Sequence, residues 1–160
     1  MVNVAEPAES FIRPASLRRS VPSLWPLAVE VVVPWRDVDA AGHVNNAVYL
    51  SYLETARIQA WFRAKGIDPA TVREPLGELD LIFAHVSVDY RSQARFGETL
   101  VVAVRPGRVG ETSFQLLYEV RCKEDGRLVA EAESVQVCWD WKRQAKKRVA
   151  EDVRGRLGAT

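Results

Sequence analysis

The sequence predicts an α+β domain in which an antiparallel sheet curls around one long helix. One stretch of helical periodicity comes early in the chain, after a first strand, and four stretches of two-residue periodicity follow it. Short turn sequences separate these later strands, as is typical of antiparallel pairing. Small residues at Ala56, Ala60 and Ala64 form a row on the helix, which would let a sheet approach its backbone closely.

The predicted elements follow one another in a simple order. The first strand covers about residues 27–36, and the helix runs to about Lys65, where Gly66 and Pro69 end it. Residues 66–78 are predicted to form a loop. The remaining strands are predicted at about residues 82–90, 100–105, 114–122 and 128–141, with turns at 95–98, at 106–110 and at Asp125-Gly126.

The core-facing side is clear in one strand and ambiguous in another. In the strand at 114–122 the apolar residues share one parity, so that face is predicted to be buried. In the last strand both parities carry apolar or small residues: Val135, Val137, Trp139 and Trp141 on one, and Ala130, Ala132 and Ser134 on the other. Either face of that strand could meet the core.

The chain is predicted to contain one domain between two flanking segments. Residues 1–25 combine proline, serine and arginine without a sustained period and are interpreted as a flexible leader. Residues 26–141 form the domain, and a chain of 160 residues is long enough to bury one core. Residues 142–160 are interpreted as a basic tail that is compatible with a short helix over 149–157.

Composition and charge argue against several classes of partner. The chain has 22 basic and 21 acidic residues, so its net charge of +1 gives no general attraction to nucleic acid or to anionic membranes. No apolar run is long enough to span a membrane, and the first residues lack the order of a signal peptide. Cys122 and Cys138 are expected to be buried thiols in a reducing compartment. The predicted location is the cytoplasm.

Three common kinds of catalytic site have no signature in the sequence. There is no G-x-S-x-G motif for a serine hydrolase. Gly107-Arg-Val-Gly110 lacks the rest of a phosphate-binding loop and stands between strands. His43 and His85 are far apart, and the cysteines are not at metal-ligand spacing. No metal site and no cofactor are therefore predicted.

Polar residues that could carry chemistry are concentrated between the first strand and the helix. They are Asp37, Asp39, Gly42, His43, Asn45 and Asn46. Gly42 permits a tight bend, and either asparagine could cap the helix by accepting a hydrogen bond from a free N–H group. This order would bring a carboxylate to the positive end of a helix.

A carboxylate beside a helix N-terminus is suited to acyl-transfer chemistry. Free N–H groups can stabilise a developing oxyanion, and an aspartate can activate water or attack the acyl carbon. Thioesters fit best because the thiolate is a good leaving group. The alternative is that Asp37 and Asp39 only cap a turn. Glu54 and Arg57 are interpreted as a structural ion pair on the helix, with a catalytic Glu54 as the alternative.

The residues around the helix start also form a long and specific pattern. It reads Asp37-Val-Asp39, Gly42-His43-Val44-Asn45-Asn46, Tyr49-Leu50 and Glu54-x-Ala56-Arg57. This pattern resembles the signature of hotdog-fold thioesterases of the 4-hydroxybenzoyl-CoA thioesterase and acyl-ACP thioesterase branches. A weaker likeness extends through Tyr90, Gly97-Glu98 and Ser113-Phe114 to about residue 141.

The resemblance implies a central helix wrapped by a five-stranded antiparallel sheet, in a homodimer with shared active sites and often in a dimer of dimers. It implies hydrolysis of an acyl-CoA or acyl-carrier-protein thioester without a metal. It places the catalytic carboxylate on Asp39, the backbone N–H that polarises the thioester carbonyl on Asn46, and the histidine of the acyl-ACP branch on His43. Glu54 is the second candidate, because another hotdog branch carries its carboxylate on the helix.

Two positions depart from the family pattern. Ala41 stands where the acyl-ACP branch has an asparagine, and Gly110-Glu111-Thr112 stands where the hydroxybenzoyl branch has a basic triplet that holds the CoA nucleotide. Arg105 or Arg108 could substitute for that triplet. The alternative function is a non-catalytic hotdog module that binds acyl-CoA or acyl-carrier protein. The enzyme is the preferred hypothesis, because a binder needs no carboxylate beside the thioester carbon.

Overall fold

A computed structural model of the chain describes residues 3–5, 25–73 and 79–158. In these ranges it contains seven strands and two α-helices. They are β1 (Asn3–Ala5), β2 (Leu27–Val32), α1 (Tyr49–Lys65), β3 (Leu81–Tyr90), β4 (Thr99–Val109), β5 (Ser113–Cys122), β6 (Leu128–Asp140), β7 (Ala145–Lys146) and α2 (Glu151–Gly158). Short 3-10 helices lie at Trp35–Asp37, Asn46–Val48 and Pro69–Thr71.

The strands pair in one antiparallel sheet. Their order across it is β1-β2-β4-β5-β6-β3, and the short β7 pairs with the end of β6. Strands β4, β5 and β6 follow one another as a meander, whereas β3 crosses over to pair with β6 at the edge. The five predicted strands are all present, so the predicted α+β class is confirmed, with β1 and β7 as short additions.

The sheet wraps around α1 as the row of small residues on that helix predicted. Ala56, Ala60 and Ala64 are essentially inaccessible to solvent, and α1 packs on β2 and β4. Trp61 stacks against Phe114 of β5, with the ring centroids 5.4 Å apart and an angle of 11° between the ring planes. Gly66 ends the helix in the left-handed conformation, with φ of 72°.

Two strand boundaries differ from the predictions for reasons that involve proline. β2 ends at Val32 rather than near residue 36, since Pro34 cannot donate a ladder hydrogen bond and a 3-10 turn follows it. The predicted turn at residues 106–110 is wrong. β4 continues through Pro106 to Val109, with a bulge that accommodates the proline, and the chain turns instead at residues 110–112.

The structure resolves which face of β6 meets the core. Ala130, Ser134, Gln136 and Cys138 are buried, whereas Val135, Val137 and Trp139 are only half-buried. The small residues therefore face α1 inside the curl of the sheet. The large apolar side chains of Val135, Val137 and Trp139 are on the opposite face.

Both predicted flanking segments contribute to the fold. Asn3–Ala5 pairs with β2, while residues 6–24 of the predicted leader lie outside the described ranges. α2 lies in the C-terminal segment, and it buries Val153 and Leu157. The Trp25 indole N–H donates to the carbonyl of Arg156, at 2.9 Å. The packed structure thus continues beyond residue 141, where the predicted domain ended.

Two expectations from composition can be compared with the structure. Cys122 and Cys138 are free and buried, as predicted, and burial raises the pKa of the Cys138 thiol to about 11. In the described part of the chain, neither α-helix combines the length and the apolar character that crossing a membrane requires.

Candidate active site

Asp39 and His43 are held at the two ends of a tight turn. The Asp39 N–H donates to the His43 carbonyl and the Gly42 N–H donates to the Asp39 carbonyl, both at 3.0 Å. Val38 and Val44 form an antiparallel bridge that closes the turn. Gly42 takes a φ of 81°, a conformation that side-chain-bearing residues rarely adopt. The glycine predicted to permit a bend therefore shapes the loop that carries the candidate carboxylate.

The Asp39 carboxylate is oriented by this turn and left partly free. Its Oδ1 accepts a hydrogen bond from the Ala41 N–H at 2.8 Å, and His43 Nδ1 lies 3.9 Å from the same oxygen. The side chains of Asp39 and His43 are 30% and 26% exposed. No hydrogen bond among the described residues uses Asp39 Oδ2, so one oxygen is available to water or to a substrate.

Asp37 differs from Asp39 because its carboxylate has a structural partner. Tyr52 of α1 donates its hydroxyl to Asp37 Oδ2 at 2.6 Å, and the Asp37 carbonyl accepts the Asn45 N–H at 2.9 Å. Burial, followed by this hydrogen bond to Asp37, raises the pKa of Tyr52. Asp37 and Asp39 thus have different environments.

The 3-10 helix that leads into α1 begins with a free N–H group. Asn45 is the cap, because its side chain accepts the Ala47 N–H at 2.9 Å. The Asn46 carbonyl accepts the Tyr90 hydroxyl at 2.7 Å. The Asn46 N–H donates to no group in the described ranges, so it can act as a hydrogen-bond donor to a carbonyl oxygen or an oxyanion.

A surface cleft of about 230 Å³ joins the helix start to the end of β3. It is lined by His43, Val44, Asn46, Tyr49, Tyr90, Arg91, Ser92 and Gln93. Tyr49 and Tyr90 meet edge to face, with centroids 5.2 Å apart, and burial raises the pKa of Tyr49 to about 12. Asp39 itself is not among the lining residues of this chain, but its neighbour His43 is.

The residues that sequence reasoning missed are those at the end of β3. Tyr90 belongs to an alternating strand pattern, but that pattern does not reveal the hydrogen bond from its hydroxyl to Asn46, which is distant in sequence. Arg91, Ser92 and Gln93 belong to no motif. Hydrogen bonds on either side of them, from the Tyr90 hydroxyl to the Asn46 carbonyl and from the Val44 N–H to the Ala94 carbonyl, hold them beside the helix start.

Glu54 and Arg57 form the predicted ion pair. Arg57 Nη2 lies 3.0 Å from Glu54 Oε1, and the side chains are 10% and 58% exposed, respectively. The guanidinium also lies over the ring of Phe83, 4.0 Å from its centroid. Glu54 therefore has a structural partner, and neither residue lines the cleft described above. A catalytic role for Glu54 stays a prediction.

Arg105 and Arg108 are not brought to this cleft within one chain. Arg105 is on the outer face of β4 and lines a shallow groove that also contains Glu119 and Glu131. Arg108 is exposed beside the β4 bulge, where its N–H donates to Gln115 Oε1 at 3.4 Å. A nucleotide-binding role for either arginine stays a prediction.

The turn at Gly42 allows a first test of this geometry. Gly42→Ala is expected to lower the free energy of unfolding by about 1–2 kcal/mol, because a Cβ at this φ is strained even though no atom lies within 4 Å of it. The same change at Gly126, with φ of 71° and equally open space, is the matched control. Only Gly42→Ala should also reduce turnover per folded molecule. Equal turnover in the two variants would contradict the view that this turn positions the Asp39 carboxylate for catalysis.

Comparison with known proteins gives the family. Residues 33–157 match the model of the thioesterase-like superfamily. The chain is 30% identical over 109 residues to a 1,4-dihydroxy-2-naphthoyl-CoA hydrolase of Prochlorococcus marinus (strain MIT 9313), an alignment that covers 64% of this chain and 71% of the relative. It is 24% identical over 131 residues to the long-chain acyl-CoA thioesterase FadM of Escherichia coli (strain K12), covering 82% and 96% of the two chains.

Solved structures agree with this match. A thioesterase of Thermus thermophilus, complexed with coenzyme A and Zn, superposes with a TM-score of 0.69 and 32% identity, over 82% of this chain and 96% of that one. A predicted thioesterase of Bacillus stearothermophilus superposes with a TM-score of 0.71 over 81% and 92% of the chains, and at 22% identity it supports the fold alone. The predicted hotdog fold is confirmed, and the chain belongs to the thioesterase-like superfamily.

Proposed function

We propose that this protein hydrolyses acyl-CoA thioesters, with Asp39 as the catalytic carboxylate and the Asn46 N–H as the oxyanion donor. The observation that carries the proposal is that both groups are left free in the two segments that the Val38–Val44 bridge joins. Asp39 Oδ2 and the Asn46 N–H have no hydrogen-bond partner in the parts of the chain that are described. Family membership supports the reaction class, and the two curated relatives above are named for CoA thioester substrates.

The reaction would begin with the thioester carbonyl at the Asn46 N–H. As a nucleophile attacks the acyl carbon, negative charge develops on the carbonyl oxygen, and the N–H and the helix start stabilise it. In one route Asp39 takes a proton from water, and the resulting hydroxide attacks. In the other, the carboxylate attacks to form a mixed anhydride, which water then hydrolyses. In both routes the C–S bond breaks and the thiolate leaves. His43, at the edge of the cleft, orients the substrate or the water.

The proposal also names the thiol that carries the acyl group. Coenzyme A is the preferred carrier, because the relatives' names and the coenzyme A complex of the Thermus protein support it. Acyl-carrier protein is the alternative that the family resemblance leaves open, and Arg105 and Arg108 are the exposed cations proposed for the carrier's phosphates. We further propose that the reaction takes place in the cytoplasm, in agreement with the two free thiols.

A thiol-release assay is the direct test of this function. Purified protein would be given CoA thioesters of increasing acyl length, and the free thiol would be measured. We expect turnover of at least one thioester that depends on protein concentration. The competing hypothesis is a non-catalytic module, and it predicts saturable binding of acyl-CoA without release of thiol. That result would reject the proposed catalysis but would agree with acyl-CoA as the ligand.

The edge of the sheet supports a proposed homodimer. β3 pairs only with β6 among the described strands, and it exposes Phe83 and Tyr90. An unpaired edge strand is normally covered, and a second copy pairing along β3 would cover it. This pairing would also bring a second chain next to the cleft at the end of β3, so that the two active sites would be shared. A dimer of dimers would be a further association of such pairs.

Sedimentation would test this assembly. We expect at least a dimer at micromolar concentration. Ser87→Lys, which places like charges on the exposed side of β3 in both copies, should shift the protein toward monomer and reduce turnover. Ala70→Lys, in the exposed 3-10 helix after α1, is the matched control and should change neither. A wild-type monomer would contradict both the dimer and the shared site.

A further inference from the structure

The side chain of Arg127 joins two loops at the end of the sheet where the cleft lies. Arg127 stands in the hairpin between β5 and β6, and its Nε lies 3.2 Å from the Asp125 carboxylate of the same hairpin. Its Nη2 lies 2.7 Å from Glu98, directly before β4. Its Nη1 donates to the Ser92 hydroxyl at 3.2 Å and to the Gln93 carbonyl, shortly after β3. One guanidinium therefore fastens both ends of the β3–β4 loop, residues 91–98, to the β5–β6 hairpin.

The β3–β4 loop forms one wall of the cleft. Ser92 and Gln93 are among the residues that line the cleft. The Gln93 carbonyl accepts from Arg127, and the next carbonyl along the chain, that of Ala94, accepts the Val44 N–H at 2.8 Å. Two successive carbonyls of the loop are thus held by two different parts of the molecule. A shift of the loop away from the hairpin would also move the acceptor of the Val44 N–H.

Val44 is placed so that such a shift would reach the proposed catalytic groups. It forms the bridge with Val38 that closes the turn carrying Asp39. It directly follows His43, stands two residues before Asn46 and is buried. The hydrogen bond to the β3–β4 loop therefore sets where the turn and the start of the 3-10 helix lie relative to the wall of the cleft.

We propose that Arg127 is a positioning residue for the active site: it fixes the β3–β4 loop, and through Ala94 and Val44 it fixes the oxyanion donor at Asn46. This inference rests on the proposed thioesterase function and adds a residue that acts without touching the substrate. Arginine suits this role because its planar guanidinium donates in several fixed directions at once. Hydrogen bonds from a charged donor are also stronger than those between neutral groups.

Arg121 on β5 offers a closely matched control. Its side chain is 29% exposed, against 30% for Arg127. It too pairs with a carboxylate, that of Glu119 at 3.0 Å, and donates to a carbonyl, that of Gly126 at 3.1 Å. Both of these partners belong to β5 or to the β5–β6 hairpin. Loss of an ion pair as such would affect variants of either arginine, whereas loss of the support for the cleft wall would affect variants of Arg127.

The test measures thiol release by Arg127→Met and Arg121→Met at a temperature at which both variants are folded. Methionine keeps a long side chain but has no donor. Arg127→Met should lower kcat for an acyl-CoA by about tenfold or more, since a small displacement of a catalytic group has effects of at least this size. KM should change little, because the oxyanion donor acts on charge that develops in the transition state. Arg121→Met should keep the kcat of the wild type.

Hydrogen exchange of single amides gives a second readout that does not depend on turnover. In Arg127→Met the Val44 amide should exchange faster than in the wild type, because its acceptor on the β3–β4 loop is no longer held in place. The Val120 amide, within β5, should keep its protection and serves as the internal reference. Arg121→Met should leave exchange at Val44 unchanged.

Chemical rescue separates the guanidinium from the rest of the side chain. Arg127 lines a surface depression of about 400 Å³ with Ser92, Gln93, Arg95 and Glu98, so a small solute can reach its place. Guanidinium ions at millimolar concentration should restore part of the kcat of Arg127→Ala. They should restore none of the kcat of Asp39→Asn. Arg127→Lys, which keeps the charge without the planar fork, should recover only part of the wild-type kcat, and it replaces Arg127→Met if that variant does not fold.

The outcomes separate this inference from the proposed function. Equal kcat values for the Arg127 and Arg121 variants would overturn it. A lower kcat for the Arg127 variant with unchanged exchange at Val44 would overturn it as well, because the effect would not pass through this hydrogen bond. If the wild type releases no thiol from any acyl-CoA, the proposed function fails, and exchange at Val44 alone decides whether Arg127 positions the turn.

Discussion

Asp39→Asn should lower turnover of acyl-CoA by about a hundredfold or more, on the scale of a general-base contribution. Asparagine can still accept the Ala41 N–H through its amide oxygen, so the turn keeps its geometry. The amide removes both basicity and nucleophilicity from the side chain. The free energy of unfolding should barely change, because the carboxylate is partly exposed and the imidazole of His43 is 3.9 Å away. Thiol release and thermal unfolding would be measured on the same preparation.

Glu54→Gln is the matched comparison on the helix. Glu54 is mainly exposed and pairs with Arg57, so its change should reduce stability by about 1 kcal/mol or less and leave the rate per folded molecule nearly intact. Asp37→Asn should likewise act on stability through the bond from Tyr52. If Asp39→Asn stays active while Glu54→Gln is stable and inactive, the catalytic carboxylate is on α1, and the proposed assignment is wrong.

Trp61→Ala should lower the free energy of unfolding by about 3–5 kcal/mol, the range for removing a large aromatic side chain from a core. Trp61 is nearly inaccessible, stacks on Phe114 and donates its indole N–H to Asp80 at 3.1 Å. The loss would leave a cavity between α1 and β5. It would be measured by denaturant unfolding at equilibrium.

Trp35→Ala is the control for this substitution, because Trp35 is 72% exposed and contacts Phe96 only at the surface. Its stability should change by about 0.5 kcal/mol or less. A loss for Trp61→Ala no larger than that of Trp35→Ala would show that the stack between helix and sheet contributes little. The packing of α1 against β5 would then need another explanation.

Features encoded in neighbouring residues could be predicted from the sequence. The helix end at Gly66 and the turn at Gly42 follow from glycines that adopt positive φ. The buried parity of β5 follows from a strict alternation of apolar residues. The cap at Asn45 could also be predicted, because an asparagine stands directly before the helical periodicity.

Features that depend on distant residues could not be predicted in this way. The side of β6 that meets the core is decided by the space beneath α1, so local hydrophobicity misleads there. Pro106 indicated a turn, but pairing with β5 carries β4 past it through a bulge. The contact between Tyr90 and Asn46 and the position of Arg105 away from the cleft depend on strand order and register. Neither this contact nor the position of Arg105 can be predicted from a short segment of the sequence.

The crossover of β3 also has a consequence for the order in which the molecule folds. The strands β4, β5 and β6 are joined by short turns, so closing them costs little chain entropy, whereas β2 must find β4 and β3 must find β6 across long intervening segments. The cleft forms only when both of these distant strand pairs have formed. The hydrogen bond from the Val44 N–H to the Ala94 carbonyl, at 2.8 Å, then joins the segment after β2 to the segment after β3. We therefore expect amides of the meander to gain protection from hydrogen exchange first during refolding. Those around residues 44 and 90–94 should gain it last, so catalytic competence would appear only after most of the sheet has formed.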